Sequence, residues 1–565
     1  MRYFSLLLLL AFTAWLPAQD SLVYAPPVRG PLLVTGTFGE LRSDHFHAGL
    51  DFRAATNTPV YAVADGYVSR VLVSPGGFGQ AVYVDHPDGH RSVYAHLERF
   101  VDKLRDTVRA VQFMEEAFPV DLHFDSLTFP VRRGDELGGV GNRGHSFGPH
   151  LHFEMRTVVG DVPLNPLAFG FPVPDGRAPQ IRRLRVYELD EGGLEVATQT
   201  VVPEPGPRGD YGLADTIFVT SSRIGIGAKA YDRQDGMPNW NGVYGGELRA
   251  DSTLLFSFRW DAIPFGKTEY LNALTDYADW RQNESWFYRM WALTQDAVFW
   301  DKAAGAGNRT GIIRLQPDAP FSATLRMTDH AGNASELPFV LLYRPGNEPR
   351  PDRPHQYFLP AGEASIIDNG DLRFAIEADA LYRDCYFSYA RLPDRSVGYF
   401  SDVHQLHDPS VPLHGRARIA LRPNRPVPDS LRTKVFVGSC NDEGRWTSYG
   451  GKWEDGRLAT TVAGFGDYAI YVDTIPPRVE VHYFPTDLRR AGGFAVEMTD
   501  NVRGGRLRYR GTIDGRWALL EYDAKNDRLN YDFATADPGP GEHLFEIEVT
   551  DARGNMTTWR RRFRR

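Results

Sequence analysis

Cysteine is nearly absent: Cys385 and Cys440 are the only two in 565 residues. With no close Cys pair, a thiolate zinc site is excluded. The two lie far apart, so one bridge closing a long loop and two free thiols both stay open. An excess of basic charge is also lacking, because 63 Lys and Arg face 72 Asp and Glu, for a net charge of −9. That excludes a general nucleic-acid binder, which needs a basic face to neutralise phosphates. Long apolar runs are missing after the first twenty residues. There Arg2 precedes the run from Phe4 to Leu16, and Pro17, Ala18, Gln19 and Asp20 follow. This is the pattern of a signal peptide over residues 1–19. The run is shorter than the ~18 apolar residues of a membrane span, so the mature chain is expected to be exported without one.

What the chain does have is 55 Gly, 39 Pro and 13% aromatics, which suit a turn-rich, mainly β protein. Short alternating runs such as Thr58–Ala64, Tyr67–Val73 and Ala81–Val84 are separated by Asp65-Gly66, Gly76-Gly77 and Asp88-Gly89, which mark turns between strands. The first unit is expected over residues 20–175, closing near Asn165-Pro166-Leu167, with Pro172, Pro174 and Pro179 in a linker. Three β-sandwich domains of immunoglobulin-like size are expected over 176–347, 352–473 and 476–565. Thr328-Asp329-His330-Ala331-Gly332-Asn333 recurs as Thr550-Asp551-Ala552-Arg553-Gly554-Asn555. The acidic residue in each is expected to form a hairpin turn rather than to bind calcium. The aromatic-dense stretch from Glu269 to Trp300 is expected to fill a core or a domain interface rather than to display a glycan platform. The basic end from Trp559 to Arg565 alternates like a last strand.

Nine of the 16 histidines fall between His45 and His152. Two spacings there carry chemistry. His150-Leu151-His152 places two imidazoles on one face of a strand, since side chains alternate with period two. His47 and Asp51, four apart, would supply an imidazole and a carboxylate opposite that pair. Two His and one carboxylate with an open position is the donor set of a catalytic zinc.

Residues 35 to 167 strongly resemble the M23 peptidases, the lysostaphin- and LytM-like zinc endopeptidases. The resemblance is carried by Phe38-Gly39-Glu40-Leu41-Arg42, by His45-Phe46-His47-Ala48-Gly49-Leu50-Asp51-Phe52, and by Pro59-Val60 with Ala62-Val63-Ala64-Asp65-Gly66-Tyr67-Val68. Tyr94-Ala95-His96-Leu97, Gly141-Asn142-Arg143-Gly144, Gly148-Pro149-His150-Leu151-His152-Phe153-Glu154 and Asn165-Pro166-Leu167 complete it in order. It covers about a quarter of the chain. It implies a small antiparallel β-sheet domain, one Zn2+ held by His47, Asp51 and His152, and His96 and His150 as the catalytic pair. One of these would be the general base and the other would stabilise the oxyanion, in an order the sequence leaves open. His45, His86, His90, His123 and His145 are left without a role, and Gly79 and Gly148 are expected to allow close backbone approach.

The resemblance also implies hydrolysis of peptide cross-links or stem peptides of bacterial peptidoglycan, in the periplasm or cell envelope or outside the cell. The alternatives are a catalytically silent scaffold that binds peptidoglycan or activates another hydrolase, and the same chemistry on Gly-rich extracellular proteins. One departure stands out, an insertion over 98–129. Its helical pattern of Leu97, Phe100, Val101, Leu104, Val108, Val111 and Met114 leaves room for a lid, a plug, a docking site for an envelope regulator, or a helix merely packed beside the groove. The first unit is expected to hold zinc without the rest of the chain.

Overall fold

The computed structural model describes residues 24–207, 210–293, 310–346, 352–394, 396–441 and 443–565. The expected signal peptide lies outside them. No helix among the described residues is long and apolar enough to cross a membrane.

The head is built on a nine-stranded antiparallel sheet. Its spatial order runs Val34–Gly36, Leu50–Arg53, His150–Thr157, His90–Ala95, Gln80–Asp85, Gly66–Val73 and Val120–His123, with two short strands paired to its sides. Alternation separates its faces. Leu50, Phe52, Leu151 and Phe153 are fully buried in the main core. Asp51, His150 and His152 stand on the other face, beside a small apolar patch of Ala81, Tyr83, Val93 and Ala95.

The insertion forms a helix over Asp102–Glu115, with Leu104, Val108 and Gln112 buried along one stripe. Leu97 and Phe100 are buried ahead of it, Phe100 in the short strand Arg99–Phe100. Met114, expected on the apolar stripe, is 75% exposed. Gln112 takes the inward position of the last turn and donates Nε2–H to the Phe118 carbonyl at 2.6 Å, which a methionine cannot do.

Three β-sandwiches follow, so the molecule is mainly β. The first pairs a sheet centred on Gln180–Leu189 and Arg223–Tyr231 with one centred on Pro320–Thr328 and Ala334–Tyr343. The last ends in the strand Met556–Arg564, which takes up the basic tail. One continuous apolar core runs from Val28 in the head to Leu341 in the first sandwich. At the junction the fully buried Trp260 packs on Phe46 with ring centroids 5.0 Å apart. Burial of two such rings contributes about 1.5–3 kcal/mol each. The head is therefore packed into its neighbour through a shared core.

Of the aromatic-dense stretch, Tyr270, Phe287, Tyr288 and Trp291 are buried, and Trp280 stacks on Trp286 at 5.1 Å. The four buried rings fill the core of the first sandwich and its boundary with the next, whereas Trp280 and Trp286 are only partly buried. Phe299 and Trp300 lie outside the described residues. Cys385 and Cys440 are both free, the first buried and the second exposed.

The last sandwich folds back onto the head. Glu521 pairs with Arg109 of the helix and with Arg143, each at 2.9 Å, and Lys525 donates to the Ser146 carbonyl at 3.0 Å. Trp517 meets Phe113 edge to face at 5.5 Å, and Leu519 joins the main core. The inserted helix thus faces the chain's own final domain.

Candidate metal centre and active site

Sheet register assembles the site. His152 lies directly across from Asp51 on one side and from Ala95 on the other, which puts the three side chains on one face and leads straight into His96. His47 comes from the lead-in to the strand Leu50–Arg53. Gly36, on the neighbouring strand, clears the way, since a Cβ there would sit 2.5 Å from Asp51 Oδ2.

Three ligand atoms converge. His47 Nε2 is 3.0 Å from His152 Nδ1, and Asp51 Oδ1 is 3.1 Å and 3.0 Å from those two nitrogens. The far side of each ring is engaged. His47 Nδ1–H donates to the Thr37 carbonyl at 2.8 Å, and His152 Nε2–H donates to Glu154 at 2.8 Å. Both inward nitrogens therefore point lone pairs at the same spot as a carboxylate oxygen. Such a centre requires positive charge, either a proton or a metal ion. Burial opposes a charged His152, but Asp51 and Glu154 outweigh it and raise its pKa to about 9. Burial would also raise Asp51, yet His47, His150 and His152 hold it well below the ordinary carboxylate range. The donor set, its spacing and its outer hydrogen bonds fit a zinc ion bonded at about 2.0–2.2 Å to each atom.

The strand carries the support further than expected. His150, His152, Glu154 and Arg156 alternate along one face, and Glu154 accepts from Arg156 Nε at 2.5 Å. Glu154 is fully buried. Burial would raise its pKa, but Arg156 and His152 bring it down to about 2. Arg156 is clamped in turn by Asp161 at 2.7 Å and lies 4.7 Å from the ring of Phe265, a residue of the first sandwich. The same alternation that marked His150 and His152 continues through Glu154 and Arg156, and was there to be followed.

His96 and His150 are gathered at the centre, their rings 4.9 Å apart. His150 Nε2 is 3.5 Å from Asp51 Oδ1, and its Nδ1–H donates to the Gly148 carbonyl at 2.9 Å. His96 has a left-handed backbone, φ +61°, which a non-glycine residue adopts at a cost and which directs its ring inward. Its Nδ1–H donates to the Arg143 carbonyl at 2.8 Å, leaving Nε2 as an acceptor. Burial, then the charges on His152 and His150, push its pKa down to about 3, so the ring is neutral at physiological pH. Of the unassigned histidines, His45 pairs with Asp44 at the surface, and His86 is locked by the Asp65 carbonyl and Ser92. Gly79 does pack against the Arg143 backbone, whereas Gly148 has open space where a Cβ would stand.

Residues 45–114 match the family profile "Peptidase family M23", a stretch that contains His47, Asp51 and His96. The head belongs to peptidase family M23. His150 and His152 come from beyond that stretch, across the insertion. The M23 head is 33% identical over 135 residues to the DD-carboxypeptidase/endopeptidase Mpg of Neisseria meningitidis, covering 24% of this chain and 25% of that protein. It is 31% identical over 112 residues to the glycyl-glycine endopeptidase ALE-1 of Staphylococcus capitis, covering 20% of this chain and 25% of that protein. The chain thus spans about a quarter of the length of these curated relatives. Among solved structures, the catalytic domain of a mutant prophage-encoded M23 protein, EnpA from Enterococcus faecalis, is 29% identical. It covers 26% of this chain and 98% of that one, with a TM-score of 0.20. Residues 356–473, in the middle sandwich, match the profile of a "Zu5-like domain".

Proposed function

We propose that the protein is an exported, zinc-dependent endopeptidase that hydrolyses peptide cross-links or stem peptides of bacterial peptidoglycan. The observation that carries this reading is the convergence of two imidazole lone pairs and one carboxylate oxygen within 3.1 Å of one another. His47, Asp51 and His152 would hold the ion. Zinc bound there would supply Lewis acidity toward a scissile carbonyl and toward water.

The remaining steps belong to the chain. His96, neutral and with Nε2 free to accept, takes a proton from the attacking water and passes it to the leaving amine. His150, anchored through Nδ1, would stabilise the oxyanion side of the tetrahedral intermediate by donating a proton carried on Nε2, that is, as the imidazolium beside Asp51. Arg143 and Gly148 position these two rings through their carbonyls. An external regulator reaching the inserted helix has to compete with the last sandwich for Arg109 and Phe113.

The test is digestion of purified sacculi, with released peptides identified by mass spectrometry, for wild type and His96→Ala, each with bound zinc measured. Expected are cleaved peptides from wild type alone, with zinc retained in both. Zinc-loaded wild type that releases nothing from sacculi of any cross-link type overturns the peptidoglycan reading.

A further inference from the structure

A second cluster of ligand-type side chains lies behind the head, where the linker enters the first sandwich. Asp175 comes from that linker, Asp232 follows the strand Arg223–Tyr231, and Asp329 sits in the hairpin between Pro320–Thr328 and Ala334–Tyr343. One carboxylate oxygen of each lies within 4.8 Å of the others. Opposite oxygen ligands of a single calcium ion are about 4.6–5.2 Å apart. The three, together with Gln234, line a cavity of about 100 Å³.

Two buried oxygens there lack partners. Asp232 and Gln234 are each only 3% exposed, yet Asp232 Oδ1 and Gln234 Oε1 accept no hydrogen bond. Buried polar atoms left this way cost stability unless something fills the space. Gln234 borders the same cavity, and its amide nitrogen donates to Asp175. Burial and Asp175 push the Asp232 pKa up to about 7, and Arg177 offsets them less than either. Asp329 does make the expected turn, accepting from Asn333 N at 2.8 Å and from Asn333 Nδ2 at 2.7 Å. Each of those oxygens retains a second lone pair, so the turn fixes the carboxylate without exhausting it.

We propose that Asp175, Asp232 and Asp329, with the Gln234 side-chain oxygen, form a calcium site that clamps the linker between the M23 head and the first sandwich. An all-oxygen, carboxylate-rich set selects a hard divalent cation over zinc, and a cluster with adjustable water positions suits calcium. The clamp would bear on the head directly. Asp232 and Asn241 exchange both backbone hydrogen bonds at 2.9 Å, Gly242 follows, and its carbonyl accepts from Thr37 Oγ1. Thr37 is the residue whose carbonyl fixes His47.

The same frame recurs between the last two sandwiches, in Asp473, Asp500 and Asp551. Asn555 Nδ2 donates to the Asp473 carbonyl at 3.1 Å, as Asn333 Nδ2 does to Asp175. There Lys434 bonds Asn555 and supplies a countercharge, although Asp500 Oδ1 is likewise buried without a partner. The proposal is therefore confined to the first cluster, and the second serves as its control.

The test is calorimetric titration of Ca2+ into zinc-loaded full-length protein as wild type, Asp232→Asn and Asp500→Asn, with trypsin cleavage after Arg177 as a second readout. Asn keeps the size of Asp, and removing one charge from the crowded cluster should not unfold the calcium-free protein. Expected is one equivalent of Ca2+ lost in Asp232→Asn and retained at this site in Asp500→Asn, with Ca2+ slowing the Arg177 cut at least tenfold in wild type but not in Asp232→Asn. No Ca2+ uptake by wild type at millimolar concentration overturns the proposal. So does an Asp232→Asn protein that folds and binds with wild-type stoichiometry.

Discussion

The two clusters that meet at the junction of head and first sandwich are built in opposite ways. The histidine centre takes its ligands from adjoining strands and their lead-in, and each imidazole is tied on its far side to Thr37 or Glu154. The acidic corner takes its ligands from a linker, a turn and a hairpin, and keeps two buried oxygens unpaired. In the first, the outer hydrogen bonds hold the geometry whether the central positive charge is a proton or a metal. In the second, like charges are held together by the fold and their repulsion is relieved only by protonation or by a cation. A pre-organised site should lose its metal without losing its shape, and an electrostatically crowded one should change stability with occupancy.

The largest effect should come from His152→Ala. Bound zinc, measured on the purified protein, is expected to fall to background and sacculus cleavage to vanish, while the calcium response of the acidic corner persists. Loss of both responses would break the comparison, because it would mean that the two sites form one unit. Next comes Glu154→Gln, which leaves the ligands in place but weakens the acceptor for His152 Nε2–H and removes the charge facing Arg156. Zinc affinity, read by competition with a chelator, should drop by about 10–100-fold. An unchanged affinity would show that the His152–Glu154–Arg156 ladder serves only the fold.

The acidic corner should instead answer to pH. In calcium-free protein the pKa of Asp232 is raised to about 7 and that of Asp175 to about 6, in each case by burial first and then by neighbouring carboxylates. Asp329 is raised as well, again mainly by burial. The groups that face them are Asp235, Gln234 and Arg177. Between the ordinary aspartate range and about 7 the folded state binds more protons than the unfolded one. Stability contributed by these protons is present at low pH and is lost as pH rises through about 6 to 7. Over that window the melting temperature without calcium should fall relative to Asp232→Asn, and saturating calcium should reverse that fall in wild type while leaving Asp232→Asn unchanged. Parallel melting curves for the two proteins would remove the electrostatic argument.

The contrast also explains what the sequence made legible. His47, Asp51, His150 and His152 could be read because their spacings within short segments and the two-residue period of a strand brought them to one face. Glu154 and Arg156 obey the same period, and following the strand two more turns of the pleat would have found them. Asp175, Asp232 and Asp329 share no period, since they meet only through sandwich topology, and the Thr328–Asn333 echo spoke for a turn alone. The packing of the head against its neighbour was equally silent. It rests on contacts such as Trp260 against Gly39, where a Cβ would stand 2.6 Å from the ring, and a lone glycine and a lone tryptophan carry no spacing that joins them.

The smallest effect tests whether the distal domain reaches the histidine centre at all. Glu521, on the last sandwich, is mostly buried and pairs with Arg109 and Arg143. The carbonyl of Arg143 is the group that fixes His96. Glu521→Ala removes one member of a half-buried network in which Arg143 still pairs with Glu98 at 2.8 Å, so a loss of about 1 kcal/mol in stability is expected. Its influence on chemistry passes through His96, not through the ion. Zinc content should therefore stay constant while kcat on a soluble cross-linked peptide falls a few-fold, with KM nearly unchanged. A faster enzyme would reverse the assignment: the last sandwich would then restrain the loop over 142–148, and contact with Glu521 would hold the site back rather than support it.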